Sequence, residues 1–361
     1  MKHQILFAAL TLAASPLLIS GEGRGTEIAF SVSSGTTLTK TFEITRDITL
    51  DESSTTMDGQ ENPMIGSMDM NIRMESTVVI EDTYEDVADG RPISLSRTFE
   101  TLSGEGESAM EMEVMGETQN MDTALVMSSV LEGESVEFKW DEKAESYSIV
   151  LPDDSALEEE ETEGLLEDTD FRALLPDDEV SEGDEWEIDI SALQSILAPG
   201  GNTLLTPEET EDADASMGMG GGNDMGDLSD FFNEDCEGEF TAIFDGMQKT
   251  DDGEFAAIKF TFEISNAIDL TEQAQEDFEG EELPEGVNEM QVEHVDIEVA
   301  YEGEGILLWD LKAGHFHSYE ASGEFEQLVD TGMLIEAMGR EISIEQSMEF
   351  SGSLTYSVSA E

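Results

Sequence analysis

Cysteine is almost absent. Cys236 is the single one in 361 residues, so no intramolecular disulfide can staple the fold and the chain must be held by its own core. Basic residues are scarce too: 14 Lys and Arg stand against 87 Asp and Glu, a formal net charge of −73, and none lies between Arg172 and Lys249. Phosphate recognition needs clustered Lys and Arg, which excludes nucleic acid and anionic membrane surfaces as partners. Self-repulsion on this scale opposes compaction unless cations screen it, which favours a salty or divalent-rich exterior or a cationic partner. Histidine numbers four, leaving His294, His315 and His317 as the bases a nucleophilic triad could use, and no Gly-x-Ser-x-Gly elbow accompanies them. Gly220 to Gly222 precede neither a Lys nor a helix-opening pattern, so they do not read as a phosphate-binding loop. Cys236 lies among Glu234, Asp235 and Glu237, carboxylates that make a thiol a poor nucleophile. Carboxylate pairs of the glycosidase kind say nothing here, because 87 acids supply many.

What is present begins with a leader. Lys2 and His3 precede an apolar run from Ile5 to Ile19, and small residues follow at Ser20 and Gly21. The pattern predicts a signal peptide over 1–21; Thr11, Ser15 and Pro16 break the run too soon for a membrane span. No cysteine stands near the cleavage region, so the expected mature chain is periplasmic or extracellular, soluble and not lipid-anchored.

One stretch organises the remainder. Trp309-Asp310-Leu311-Lys312-Ala313 echoes Trp140-Asp141-Glu142-Lys143-Ala144. Upstream of each copy an Asp-Gly turn is followed by a Phe-Glu pair at the same spacing, nine residues from Gly90 to Phe99 and from Gly253 to Phe262. Each half opens on a glycine with a large apolar residue three positions on, Gly35 with Leu38 and Gly183 with Trp186. The expectation is a mainly β (α+β) fold of two diverged repeats of curved antiparallel sheet with a few short helices. Repeat 1 spans 26–152, an acidic connector that reads as a helix or ordered linker spans 153–175, and repeat 2 spans 176–361 with a Gly- and Met-rich acidic insertion at 199–237.

Period-two alternation predicts paired strands over Glu27–Leu50, a loop over Met57–Gly66 and a Met stripe (Met68, Met70, Ile72, Met74) as the inner side of a strand. A short helix is expected over Thr271–Phe278. Mixed strand and helix signals run over Phe325–Met338, and a final strand or pair over Ile342–Val358.

No cofactor is called for, and the metal readings are thin. Calcium suits an oxygen-rich chain, and Asp82, Asp86 and Asp89 crowd one turn with Glu85, but no Asp-x-Asp-x-Asp-Gly loop is present, so diffuse cation association is expected. His315 and His317 share one strand face, where two imidazoles and a carboxylate could hold a metal. Matching Trp309 to Trp140 sets these histidines on Ser146 and Ser148, which points to a solvated face instead.

Around Leu175-Pro176, Gly183, Trp186 and the Gly305-x-x-x-Trp309-Asp310 segment with its Ala313-Gly314 turn, the chain resembles a loose group of uncharacterised exported bacterial β-proteins. Some proteins of that look are lipoprotein or lipid carriers on a curved open sheet. The resemblance implies such an architecture and assigns no functional residue. The resulting expectation is a non-enzymatic exported protein holding a lipophile or partner on a concave apolar sheet face. The alternative is an acidic cell-envelope structural or adhesion-like protein associating with divalent cations.

Overall fold

The computed structural model describes residues 25–61, 65–114, 117–152, 155–193, 196, 200–203, 205–207, 236–278, 287–337 and 339–361. The leader and most of the acidic insertion lie outside them. In chain order the strands are β1 (Thr36–Met57), β2 (Gln60–Glu61), β3 (Ile65–Ala88), β4 (Arg91–Val114), β5 (Glu117–Ser128), β6 (Ser135–Asp141), β7 (Ser146–Val150), β8 (Glu185–Glu187), β9 (Thr206–Pro207), β10 (Glu237–Lys249), β11 (Glu254–Asp269), β12 (Val287–Asp310), β13 (His315–Ala337) and β14 (Arg340–Ala360). An α-helix, α1 (Thr271–Phe278), stands where a short helix is expected.

All the strands belong to one antiparallel sheet with the path β7-β6-β4-β3-β1-β14-β13-β12-β11-β10-β8, to which β2, β5 and β9 attach at the side. The two separate sheets expected from the repeats do not form. The first strand pairs with the last, from Lys40–Ala360 to Met57–Ile344, and merges the halves into one open sheet.

Within it the halves carry several of the same pairings. The Gly35 N–H donates to the Tyr84 carbonyl at 2.6 Å and the Gly183 N–H to the Phe244 carbonyl at 2.8 Å. Tyr84 pairs Leu95, which pairs Phe138; Phe244 pairs Ile258, which pairs Leu307. The Trp-Asp hairpins also agree. Asp141 Oδ1 accepts from the Lys143 and Ala144 N–H groups at 2.8 and 3.3 Å, and Asp310 Oδ1 from those of Lys312 and Ala313 at 2.8 and 3.0 Å.

Several strands are longer than the sequence predicts. β12 and β13 each run unbroken through the glycines at which alternation reads as ending: Gly303, Gly305 and Gly323. The reason is a staircase of rings. A Cβ on Gly305 would stand 2.2 Å from the Phe260 ring, on Gly303 2.4 Å from Phe262, on Gly323 2.7 Å from Tyr301, and on Gly352 2.4 Å from Phe325. Each aromatic ring lies over a glycine of the next strand, filling the space a side chain would occupy, so the ladder continues where glycine alone would weaken it.

Other departures have local causes. Ile28, Phe30 and Val32 alternate and are buried, but the segment is not a strand. It crosses the sheet, tied by the Thr26–Val180 bridge and a 2.9 Å bond from the Ser31 N–H to the Gly314 carbonyl. The predicted loop after Met57 is in part a tight turn, with Asp58 and Gly59 both at positive φ, leading into β2. The acidic connector is not an α-helix; it holds two 3-10 turns, Glu159–Thr162 and Arg172–Leu174. Four consecutive glutamates without basic partners stabilise no longer helix. Phe325–Ala337 is strand throughout, and β14 is a single strand.

The main core is an apolar cluster on one side of the sheet, here the inner face, and a small separate cluster of Phe255, Ala257 and Leu308 lies on the other. Connector residues Leu157, Leu165, Phe171 and Leu174, with Leu193 and Ile196 further along the chain, join it and cover part of that face. The Phe171 ring stacks on Tyr319 at 4.1 Å and meets Phe316 edge-on at 5.1 Å.

Candidate functional site

Three charged residues interrupt the inward phase of the first strands: Lys40 between Leu38 and Phe42, Asp82 between Ile80 and Tyr84, and Arg97 between Leu95 and Phe99. All three are fully buried. Asp82 pairs directly with Arg97 across β3 and β4, while Lys40 on neighbouring β1 reaches the same carboxylate.

The charges interlock. Arg97 donates from Nε to Asp82 Oδ1 at 2.7 Å and from Nη2 to Oδ2 at 3.0 Å. Lys40 Nζ donates to Asp82 Oδ2 at 2.8 Å, to Tyr84 OH at 2.8 Å and to Thr169 Oγ1 at 2.7 Å, and it pairs with Asp170 Oδ1 at 2.7 Å. The remaining Arg97 donors meet the connector backbone, Nη1 at the Leu166 carbonyl (2.7 Å) and Nη2 at the Glu167 carbonyl (2.8 Å). The Tyr84 hydroxyl donates to Asp170 at 2.7 Å. Arg172 pairs with Glu167, and its guanidinium lies 5.3 Å from the Phe30 ring.

Burial alone would raise the Asp82 carboxyl, but Arg97 and Lys40 beside it hold it well below the ordinary carboxylate range. Burial pushes Glu167 the other way, up to about 7, against the pull of Arg172 and with the added push of Asp168 and Asp170. Glu167 Oε1 finds no hydrogen-bond partner among the described residues. Phe171, next in chain to Asp170, is held at φ 55°, in the left-handed region, which costs of order 1–3 kcal/mol for a side chain of this size. The cluster therefore clamps a strained connector onto the sheet. Its acids are covered and held by counter-charges, an arrangement suited to fastening rather than to proton transfer with a solvent-borne substrate.

At the positions of the other half that carry the same pairings as Lys40, Asp82 and Arg97 stand Ile188, Ala242 and Phe260, all buried and apolar. The sequence signal for the clamp was a charge on the apolar phase of a strand, three times over, in a chain with 14 basic residues. It is legible only once the inward phase is known.

The metal candidates do not gather. Asp82 faces inward into the clamp, whereas Asp86 and Asp89 are exposed. The His317 ring stacks on Phe255 at 4.2 Å on the outward face, with Asp252 at 3.8 Å, and His315 Nδ1 lies 2.6 Å from the Phe316 carbonyl. Among the described residues no three His, Cys, Asp or Glu stand together as a metal site.

Beyond the connector, the inner face stays apolar but is less covered. Ile44, Ile48, Met68, Met70, Ile72 and Met74 on β1 and β3 are half-buried, while Phe350, Leu354, Tyr356 and Phe325 on β14 and β13 are buried. The Met stripe thus alternates as a strand face. On the outward side a hollow of about 1070 Å³ is lined by hydroxyls such as Thr45, Thr77 and Thr261 and by Glu43, Glu75 and Glu304.

Among the described residues no helix is long and apolar enough to cross a membrane. No family model matches the chain, and no curated protein matches it. Among solved structures it aligns with Pseudomonas aeruginosa OccK7 (OpdD) at 8% identity and a TM-score of 0.19, over 90% of this chain and 98% of that one. A second alignment, to P. aeruginosa OccK5 (OpdH), has 6% identity and a TM-score of 0.12, over 92% and 99%. Likeness at these scores carries no argument about fold or function.

Proposed function

We propose that this is an exported, non-enzymatic protein whose inner sheet face binds a lipophile. The observation that carries the reading is the half-buried Met and Ile strip of β1 and β3, which continues the apolar core beyond the connector. An apolar strip left partly in water costs about 25 cal/mol per Å² relative to a covered one, so an apolar ligand there gains what the fold leaves unspent. The clamp supports the reading from the other side, since it fastens a cover over the neighbouring part of the same face. We read the two halves of the strand path as diverged copies of one unit; their equal pairings and paired Trp-Asp turns support it.

The test is native mass spectrometry of the protein purified from its own host, with and without calcium chelation. A discrete extra mass removed by organic solvent supports the carrier. A bare mass with chelator-sensitive calcium adducts sinks it and favours an acidic envelope protein, for which the charge of −73 and the Glu-lined outward hollow are the supporting features.

A further inference from the structure

Methionine is unevenly placed. Among the described residues the buried main core is built of Leu, Ile, Val, Ala and aromatic side chains, with Met348 its single methionine. On the inward phase of β3, β4 and β5 the usage reverses. Met70 on β3 pairs Met110 on β4, and Met110 pairs Met121 on β5. In the next row Met68 pairs Met112. Five thioethers therefore occupy two adjacent rows of three neighbouring strands. Directly opposed side chains stand about 4.5–5.5 Å apart and those of the next row about 7 Å away, so sulfurs on flexible side chains can converge on one point. Met110, at the centre, is buried, while Met68, Met70, Met112 and Met121 around it are half-buried, which leaves the rim of the group open to a small solute.

The donor type and the surrounding charge set the chemistry. Thioether sulfur is a soft, neutral ligand that selects Cu(I), whereas carboxylates suit Ca2+ and Mg2+. Asp69, Glu111 and Asp122 adjoin these methionines in the chain and are exposed on the outward phase. Only the backbone of the sheet separates these carboxylates from the sulfurs, less than the Debye length of about 10 Å at 0.1 M salt. With a net charge of −73 behind them they draw cations to this part of the sheet. Hard cations stay with the outward carboxylates, and a soft one passes to sulfur. Gap-filling, the ordinary use of methionine in a core, would spread these residues through the main cluster instead of gathering them in register.

We propose that Met70, Met110 and Met121, with Met68 and Met112 beside them, bind one Cu(I) ion through their thioether sulfurs. The inference goes beyond the lipophile reading, since it uses donor atoms rather than apolar area, and either can fail without the other.

The experiment is anaerobic titration of the full chain with Cu(I) in competition with the chromogenic chelator bicinchoninate. The natural chain should withdraw one equivalent of Cu(I), and so should Cys236→Ser, which removes the single thiol. The triple variant Met70→Leu, Met110→Leu, Met121→Leu keeps the side chains apolar and close in volume. It should hold Cu(I) about 100-fold more weakly or worse, because loss of outer-shell partners alone costs about 10- to 100-fold. X-ray absorption at the copper edge of the loaded natural chain should show sulfur neighbours. Failure of the natural chain to withdraw copper, full affinity in the triple variant, or a shell of nitrogen and oxygen would each overturn the proposal. A footprint on the natural chain gives the answer even if the triple variant does not fold. Ag(I), a soft cation without redox chemistry here, should slow peroxide oxidation of Met70 and Met121 and leave the exposed Met247 unprotected; unchanged oxidation of Met70 and Met121 would overturn the site.

Discussion

Replacing Asp82 with Asn tests the clamp most directly. The change keeps the shape of the side chain and removes one charge, leaving Lys40 with Asp170 and Arg97 without the carboxylate it pairs with, both cations fully buried. Breaking one member out of a buried ion pair costs about 3–5 kcal/mol, because the partner's charge stays buried without compensation. Against a typical total of roughly 5–15 kcal/mol, that is a large share of the stability. Part of the loss should return when the surplus cation is removed: Asp82→Asn with Lys40→Met should cost less than the two single changes added together, by about 1–3 kcal/mol. Urea unfolding followed by fluorescence of Trp140, Trp186 and Trp309 supplies the three free energies. Limited proteolysis should also show the connector cut faster in Asp82→Asn, since Leu166, Glu167 and Thr169 are fastened through the same cluster. A loss below about 1 kcal/mol, or strict additivity in the double variant, would refute the view that these charges are dry and mutually dependent.

Three further outcomes are expected. Gly305→Ala should destabilise by about 1–3 kcal/mol, because its Cβ would meet the Phe260 ring at 2.2 Å and the Glu320 carbonyl at 2.5 Å; an unchanged urea midpoint would count against the ring staircase. Glu167 sets a pH dependence. Its folded pKa of about 7 lies above the ordinary 4.5, so between those values the folded state holds more protons than the unfolded one. Stability should therefore fall as pH rises from about 4.5 to 7, by up to about 3 kcal/mol, and Glu167→Gln should flatten that decline in urea midpoints taken across the range. Asp82 acts oppositely and at lower pH: its depressed pKa contributes stability that is lost on acidification below the ordinary carboxylate range.

Much of this protein was written locally. Alternation in β1, β3 and β14, the Asp89-Gly90 turn and the twin Trp-Asp hairpins depend on the period of a strand and on carboxylates that accept neighbouring N–H groups. Both are short-range properties, so the sequence by itself determined the mainly β class, the short helix α1 and several turns. Tertiary structure alone decided that β1 and β14, at opposite ends of the chain, join the halves into one sheet, because strand pairing between distant segments leaves no local mark. It also decided that glycines such as Gly303 and Gly323 continue their strands, since the ring filling each gap comes from the adjacent strand. The same holds for the charges. Lys40, Asp82 and Arg97 look like ordinary surface residues until the inward phase of three strands and the path of the connector bring them within hydrogen-bonding distance. Only the fold removes the water that would otherwise have made their separate charges unremarkable.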